Sequence, residues 1–169
     1  MSNDFTIAQM ICCSKENGRC ENCPLMKYPW AWSLMVGNYA FQNMMALRDN
    51  VLEPARERYG KPIRVVRGYQ CEKMTRKLKL NEEYSEGRCV DIVADATETR
   101  IENLEIARAI VEGGIWDVMI LENVGEEDYE PEYVHVSYAR CEFLNRRKIY
   151  LREKGKWSME EVDVEDLKD

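Results

Sequence analysis

The chain carries one histidine, His135. It sits in Tyr133-Val134-His135-Val136-Ser137-Tyr138, an alternation of apolar and polar residues that predicts a β-strand. A catalytic zinc ion takes three protein ligands and leaves one position open for water. His135 can supply one of the three. Asp91 lies in Cys89-Val90-Asp91-Ile92-Val93, and a carboxylate inside an apolar strand must be paired, hydrogen-bonded or bound to a metal. Taken singly, Asp91 reads as a strand-end carboxylate capping nearby backbone, and His135 as a core histidine with satisfied hydrogen bonds. Glu122 follows Met119-Ile120-Leu121, and Glu132 lies three residues before His135. Each alone reads as a solvated charge.

The seven cysteines are an odd number, which favours reduced thiols over a disulfide framework. Cys12, Cys13, Cys20 and Cys23 are crowded together. They contain a single Cys-x-x-Cys and one contiguous pair, poor geometry for a tetrahedral zinc site, so scattered reduced thiols are the preferred reading. Tyr28, Trp30, Trp32 and Tyr39 form an aromatic group. It suits a carbohydrate platform, but more often such a group is a satellite core.

The 169 residues fit one folded domain, and 33% charged with 45% hydrophobic residues is ordinary for a globular chain. The net charge of −7 argues against a nucleic-acid partner, whose binding face is basic. No apolar run approaches the ~20 residues of a membrane span. The N-terminus lacks the basic start and apolar stretch of a secretory leader. The expectation is a protein that is cytoplasmic as made, or released by a route such as phage lysis.

Several elements must position these residues. Residues 1–35 read as an irregular Cys-rich segment, 36–155 as the folded domain and 156–169 as an acidic tail whose end, Glu160 to Asp169, is frayed or disordered. From Asn38 a helical pattern places Phe41, Met44, Met45, Arg48, Val51, Leu52 and Ala55 on one face. Pro54 predicts a kink or the start of a new short helix, and Gly60 a C-cap. Ile63 to Val66 predicts a strand that Gly68 ends. Glu72 to Lys79 suggests a short helix. Cys89 to Val93 predicts the next strand, entered through Gly87. Thr99 and Glu102 form a capping-box pattern. The helix behind it should bury Ile101, Leu104, Ala107, Ile110 and Val111 and stop at Gly113-Gly114. Val118 to Leu121, the strand of His135 and Lys148 to Arg152 complete the set, with an acidic loop from Gly125 to Glu132. Short strands without regular βαβ units predict an α+β domain.

Read together, these segments resemble the zinc D-alanyl-D-alanine carboxypeptidases, including the phage endolysin peptidases, whose fold is shared with the Hedgehog signalling domain. The likeness runs from about Tyr39 to Ile149 and is closest to small versions found in gut bacteria and their phages. Those read "Val-Leu-Asp-Pro-Leu-Arg" and then "Tyr-Gly-Lys-Pro-Ile-x-Val". Here the stretch is Asn50-Val51-Leu52-Glu53-Pro54-Ala55-Arg56, then Tyr59-Gly60-Lys61-Pro62-Ile63-Arg64-Val65. Glu21-Asn22-Cys23-Pro24 more weakly resembles an "Asp-Asn-x-Pro" before the first helix. The resemblance implies a small, mostly antiparallel sheet with helices packed on one side, a cell-wall peptide as partner and zinc as cofactor.

In the family's "Ser-x-His-x-x-Gly-x-Ala-x-Asp", the first ligand falls on Tyr84 and the second on Asp91. The third, from "Trp-Ile/Val-His-Val-Ser", falls on His135, with Tyr133 in place of the tryptophan. The substrate motif "Ser-Gly-Tyr-Arg" falls on Arg67-Gly68-Tyr69-Gln70, so its arginine is replaced by Gln70. The family's catalytic base falls on Glu132 or on Glu122. A zinc site with one histidine lost implies weak or absent metal. Substitute ligands are conceivable in Tyr84 as phenolate, in Cys89, or in Glu82, Glu83 or Glu86 from the loop. A neutral amide cannot replace a guanidinium that forks onto a carboxylate; Arg67, three residues away and outside the family's register, is the nearest substitute in the motif. The expectation is a D,D-peptidase-like protein with impaired or absent chemistry, serving as a cell-wall peptide binder or a phage or structural component. The alternative is an active zinc peptidase with a substitute ligand.

Overall fold

Apolar residues at helical spacing build the first layer. The computed structural model describes residues 5–11, 39–95, 99–125 and 129–167. Helix α1 (Ile7–Met10) is a single turn with a Thr6–Gln9 capping box. Helix α2 (Tyr39–Leu47) runs into a π-helical turn (Arg48–Leu52) and then α3 (Glu53–Tyr59). The buried stripe is Ala40, Asn43, Met44, Leu47, Val51, Leu52 and Ala55, so Phe41, Met45 and Arg48 lie beside the face rather than on it. The π turn explains how Pro54 is tolerated. The Glu53 N–H already reaches back to the Arg48 carbonyl, so the bonding register has widened one residue before the proline that cannot donate. Gly60, with φ of 75°, caps α3 in the left-handed conformation.

The strands are β1 (Ile63–Arg67), β2 (Cys89–Ala94), β3 (Val118–Val124), β4 (Tyr133–Ser137), β5 (Lys148–Glu153) and β6 (Glu160–Val162). They form one six-stranded sheet in the order β1-β2-β4-β3-β5-β6. Every pairing is antiparallel except β3 with β5. The architecture is mixed α and β, as expected for an α+β chain.

Strand alternation sorts the side chains onto two faces. Val90, Ile92, Met119, Leu121, Val134, Val136, Ile149 and Leu151 share one face by register, and all belong to the main apolar core. Helix α5 (Arg100–Gly113) packs there with Leu104, Ile106, Ala107 and Ile110, and Met44, Leu47, Val51 and Leu52 join the same core. Helix α4 (Glu72–Lys77) is shorter than expected. The opposite face carries Cys89, Asp91, Glu122, Tyr133 and His135.

Three further expectations are revised. Thr99 is the N-cap of α5 but makes no side-chain cap bond. Glu102 instead turns to Lys61 and the Tyr59 hydroxyl. Ile101 is 47% exposed and lies outside the inner face, where Asn103 is buried instead. Asn103 earns that place by bonding the Ala94 N–H and the Pro131 and Glu132 carbonyls. Finally, Glu160 to Leu167 is not frayed: β6 pairs with β5, and Leu167 is 1% exposed in the core. The Cys12, Cys13, Cys20 and Cys23 group, with Tyr28, Trp30 and Trp32, lies outside the described residues, whereas Tyr39 is exposed.

Candidate functional site

On the polar face, β2 and β4 pair Asp91 directly with His135. The imidazole Nδ1 stands 2.8 Å from Asp91 Oδ1. A turn of 3-10 helix (Glu82–Tyr84) lays Tyr84 across the pair. Its hydroxyl donates to Asp91 Oδ1 at 2.8 Å and lies 3.2 Å from His135 Nδ1. The two rings are tilted, with centroids 5.6 Å apart. All three side chains are buried. The protons are accounted for when Tyr84 donates to Asp91 and Nδ1 carries a hydrogen toward the same carboxylate.

Local sequence explains how Tyr84 is held. Asn81 caps the turn, its Oδ1 accepting the Glu83 N–H at 3.1 Å. Gln70 N donates to the Tyr84 carbonyl at 3.2 Å. Gly87, with φ of 68°, closes the turn beneath α2, where a Cβ would meet the Ala40 carbonyl oxygen at 2.3 Å. Asn43 fastens the same loop by donating to the Glu86 carbonyl.

Arg67 completes the cluster, and a bulge brings it there. β1 pairs Val65 with Ile92 and Arg67 with Asp91, so Val66 is an extra residue. Regular alternation would have placed Arg67 on the apolar face. The bulge re-aims it, and its NH1 lies 3.3 Å from Asp91 Oδ2. Nothing in the amino-acid pattern marks this bulge.

The electrostatics follow from burial and charge. Burial opposes a charge on His135, but the hydrogen bond and charge of Asp91 prevail, and its pKa rises above the ordinary histidine value. Burial, with the Asp91 charge, pushes the Tyr84 phenol well up. Tyr133 is raised to about 12, first by burial and then by Asp91 and Glu122. A phenol so disfavoured as an anion serves as a donor to Asp91.

The two candidate glutamates separate cleanly. Glu122 lies on the polar face opposite Tyr133 and beside Arg152, whose NH1 bonds its Oε1 at 2.9 Å. Burial raises its pKa, against the opposing charge of Arg152. Glu132 is bound to Arg100, Asn123 and Lys154, at the α5 side of the sheet. Those donors lower its pKa. Of the substrate-motif positions, Gln70 is fully buried, and the Tyr69 N–H bonds the Met10 carbonyl while its ring packs on the core. Arg67 stands in contact with Asp91.

A second set of donors meets at His135. Ligand atoms of Glu83, Cys89 and His135 all lie within 4.8 Å of one another, and this group could hold a metal ion. Cys89 shares the Asp91 face two residues upstream, and Glu83 comes from the Tyr84 turn. Burial keeps the Cys89 thiol well above its ordinary pKa. No helix among the described residues is long and apolar enough to cross a membrane.

No family model, curated protein or solved structure matches this chain.

Proposed function

We propose that this chain is a peptidoglycan D,D-peptidase-like protein of the Hedgehog/D,D-peptidase fold whose peptidase zinc site has been replaced by a closed hydrogen-bond network. It retains a cell-wall peptide-binding role with little or no hydrolysis. The observation that carries this reading is the Tyr84 hydroxyl, at the position where the resemblance expects a histidine ligand. It bonds Asp91 Oδ1 at 2.8 Å and so occupies the carboxylate that would take the metal.

The fit to zinc at Tyr84, Asp91 and His135 is poor on chemical grounds. Asp91 Oδ1 accepts from Tyr84 and His135, and Arg67 stands on Oδ2. A guanidinium therefore supplies the positive charge that a cation would bring. The phenol must lose a strongly held proton before it can ligate. In related chemistry zinc lowers the pKa of its bound water; the residues here are arranged to bond one another. Glu122, the better placed of the two expected bases, is occupied by Arg152.

Incubating the purified chain with zinc and a D-Ala-D-Ala-terminated stem peptide tests the reading. We expect saturable peptide binding by calorimetry, with no release of D-alanine above the zinc blank. Zinc-dependent turnover abolished by Asp91→Ala would overturn the loss of chemistry. Absence of any peptide binding would overturn the retained role.

A further inference from the structure

We infer that Glu83, Cys89 and His135 form a divalent-metal site of their own, which pins the Tyr84 turn to β2 and β4. Two of its donors, Glu83 and Cys89, differ from the ligands the resemblance implies, while His135 is shared, and the site stands without the peptidase reading. Three observations carry it. A ligand atom of each residue, one of the two ring nitrogens in the case of His135, already lies within 4.8 Å of the others. They come from three separate segments that the sheet register and the 3-10 turn bring together. Third, His135 is prepared as a ligand. Nδ1 is held by the buried Asp91 carboxylate at 2.8 Å, which leaves Nε2 as the nitrogen for the ion. Metal-bound imidazoles commonly rest on a carboxylate through the other ring nitrogen in this way.

The charge balance favours a divalent ion. One thiolate and one carboxylate neutralise it, while Asp91 is already matched by Arg67. Binding forms the Cys89 Sγ–metal bond and releases the thiol proton to solvent. Glu83 must exchange its contact with Arg88, now 3.5 Å, and its Asn81 hydrogen bond for the metal. Its side chain is 13% exposed, the part of the site in contact with solvent. Thiolate, imidazole and carboxylate together suit zinc, and cobalt(II) as its spectroscopic substitute.

The test is a cobalt(II) titration of the full chain carrying Ser at Cys12, Cys13, Cys20 and Cys23, which removes the other clustered thiols. We expect one equivalent bound, a thiolate-to-cobalt charge-transfer band and a higher melting temperature. The band should vanish in Cys89→Ser. Affinity should fall roughly ten- to a hundred-fold in Asp91→Asn, the loss typical of an outer-shell partner. X-ray absorption on the zinc-loaded chain should give one sulfur and lighter N or O donors, a readout that needs no variant to fold. Absence of the band in the parent, a band that survives Cys89→Ser, or a first shell without sulfur would each overturn the site. None of these readouts depends on peptide binding or turnover.

Discussion

Tyr84 donates its hydroxyl proton to Asp91 at 2.8 Å, and both side chains are buried. A hydrogen bond between a neutral donor and a buried carboxylate contributes more than a neutral pair, and removing the donor leaves part of the charge unsatisfied. Tyr84→Phe keeps the ring and deletes only this group. We expect it to cost roughly 1.5–3 kcal/mol, read as a lower urea midpoint with an unchanged slope. An unaltered midpoint would mean that the hydroxyl does not bond Asp91.

His135 offers a clean titration because it is the only histidine. Asp91 raises its pKa in the fold. The folded state therefore holds the proton more tightly than the unfolded chain does. The resulting stability is fully present below about pH 6.5, the unfolded value, and is lost as pH rises through the folded pKa. NMR of the single imidazole should show a midpoint above the ordinary value, and Asp91→Asn should bring it down. A midpoint below the ordinary value in the parent chain would show that burial outweighs Asp91.

The bulge at Val66 makes a separate prediction. It alone places Arg67 on the Asp91 face. Arg67→Met preserves bulk while removing the charge. Because Arg67 is 35% exposed, solvent screens part of the interaction, and we expect a loss of about 1 kcal/mol. His135 should gain protons more readily once the neighbouring cation is gone, shifting its NMR midpoint upward. No shift would place the guanidinium elsewhere.

Away from the site, Asp117 holds the chain that follows β4. It accepts from the Arg146 backbone and from both Nε and NH2 of the guanidinium at 2.8–3.0 Å. Burial pushes its pKa up, but the Arg146 hydrogen bonds and charge outweigh it, and the net shift is downward. With a depressed folded pKa, its contribution is present above the unfolded value near ~3.9 and is lost as pH falls through the folded one. Asp117→Asn should destabilise at pH 7 and flatten the acid limb of the stability profile. An unchanged acid limb would contradict the pairing.

Gly68 tests the docking of α1. A Cβ there would meet the Met10 carbonyl oxygen at 1.9 Å, and that oxygen accepts the Tyr69 N–H. Backbone cannot yield as a flexible side chain can. Gly68→Ala should therefore cost more than the ~1 kcal/mol typical of a point substitution and should increase hydrogen exchange at Tyr69. Wild-type stability in this variant would place α1 elsewhere.

What the sequence disclosed depended on periodicity and punctuation. Alternation located the strand of His135, β-branched residues located β1 and β2, and Gly60 and Gly114 marked helix ends that are left-handed caps in the fold. The pairing of Asp91 with His135 was reachable only through the family likeness, since cross-strand register is not written in either strand alone. The π turn before Pro54 and the bulge at Val66 carry no compositional mark. Those two irregularities decide which helix face is buried and where Arg67 points. Acidic neighbours conceal Leu167, a single core anchor. Glu83 and Cys89 were only two among several substitutes until the turn and strand placed them beside His135.

Asp91 is held by Tyr84, His135 and Arg67, and we propose that these contacts take the place of a metal on its carboxylate. A crystal structure of the full chain grown with zinc, with anomalous data at the zinc edge, tests it most directly. We expect the Tyr84 hydroxyl within hydrogen-bonding distance of Asp91 and no anomalous peak bonded to that carboxylate. A zinc peak in bonding contact with both Asp91 and His135, with Tyr84 displaced, would contradict it.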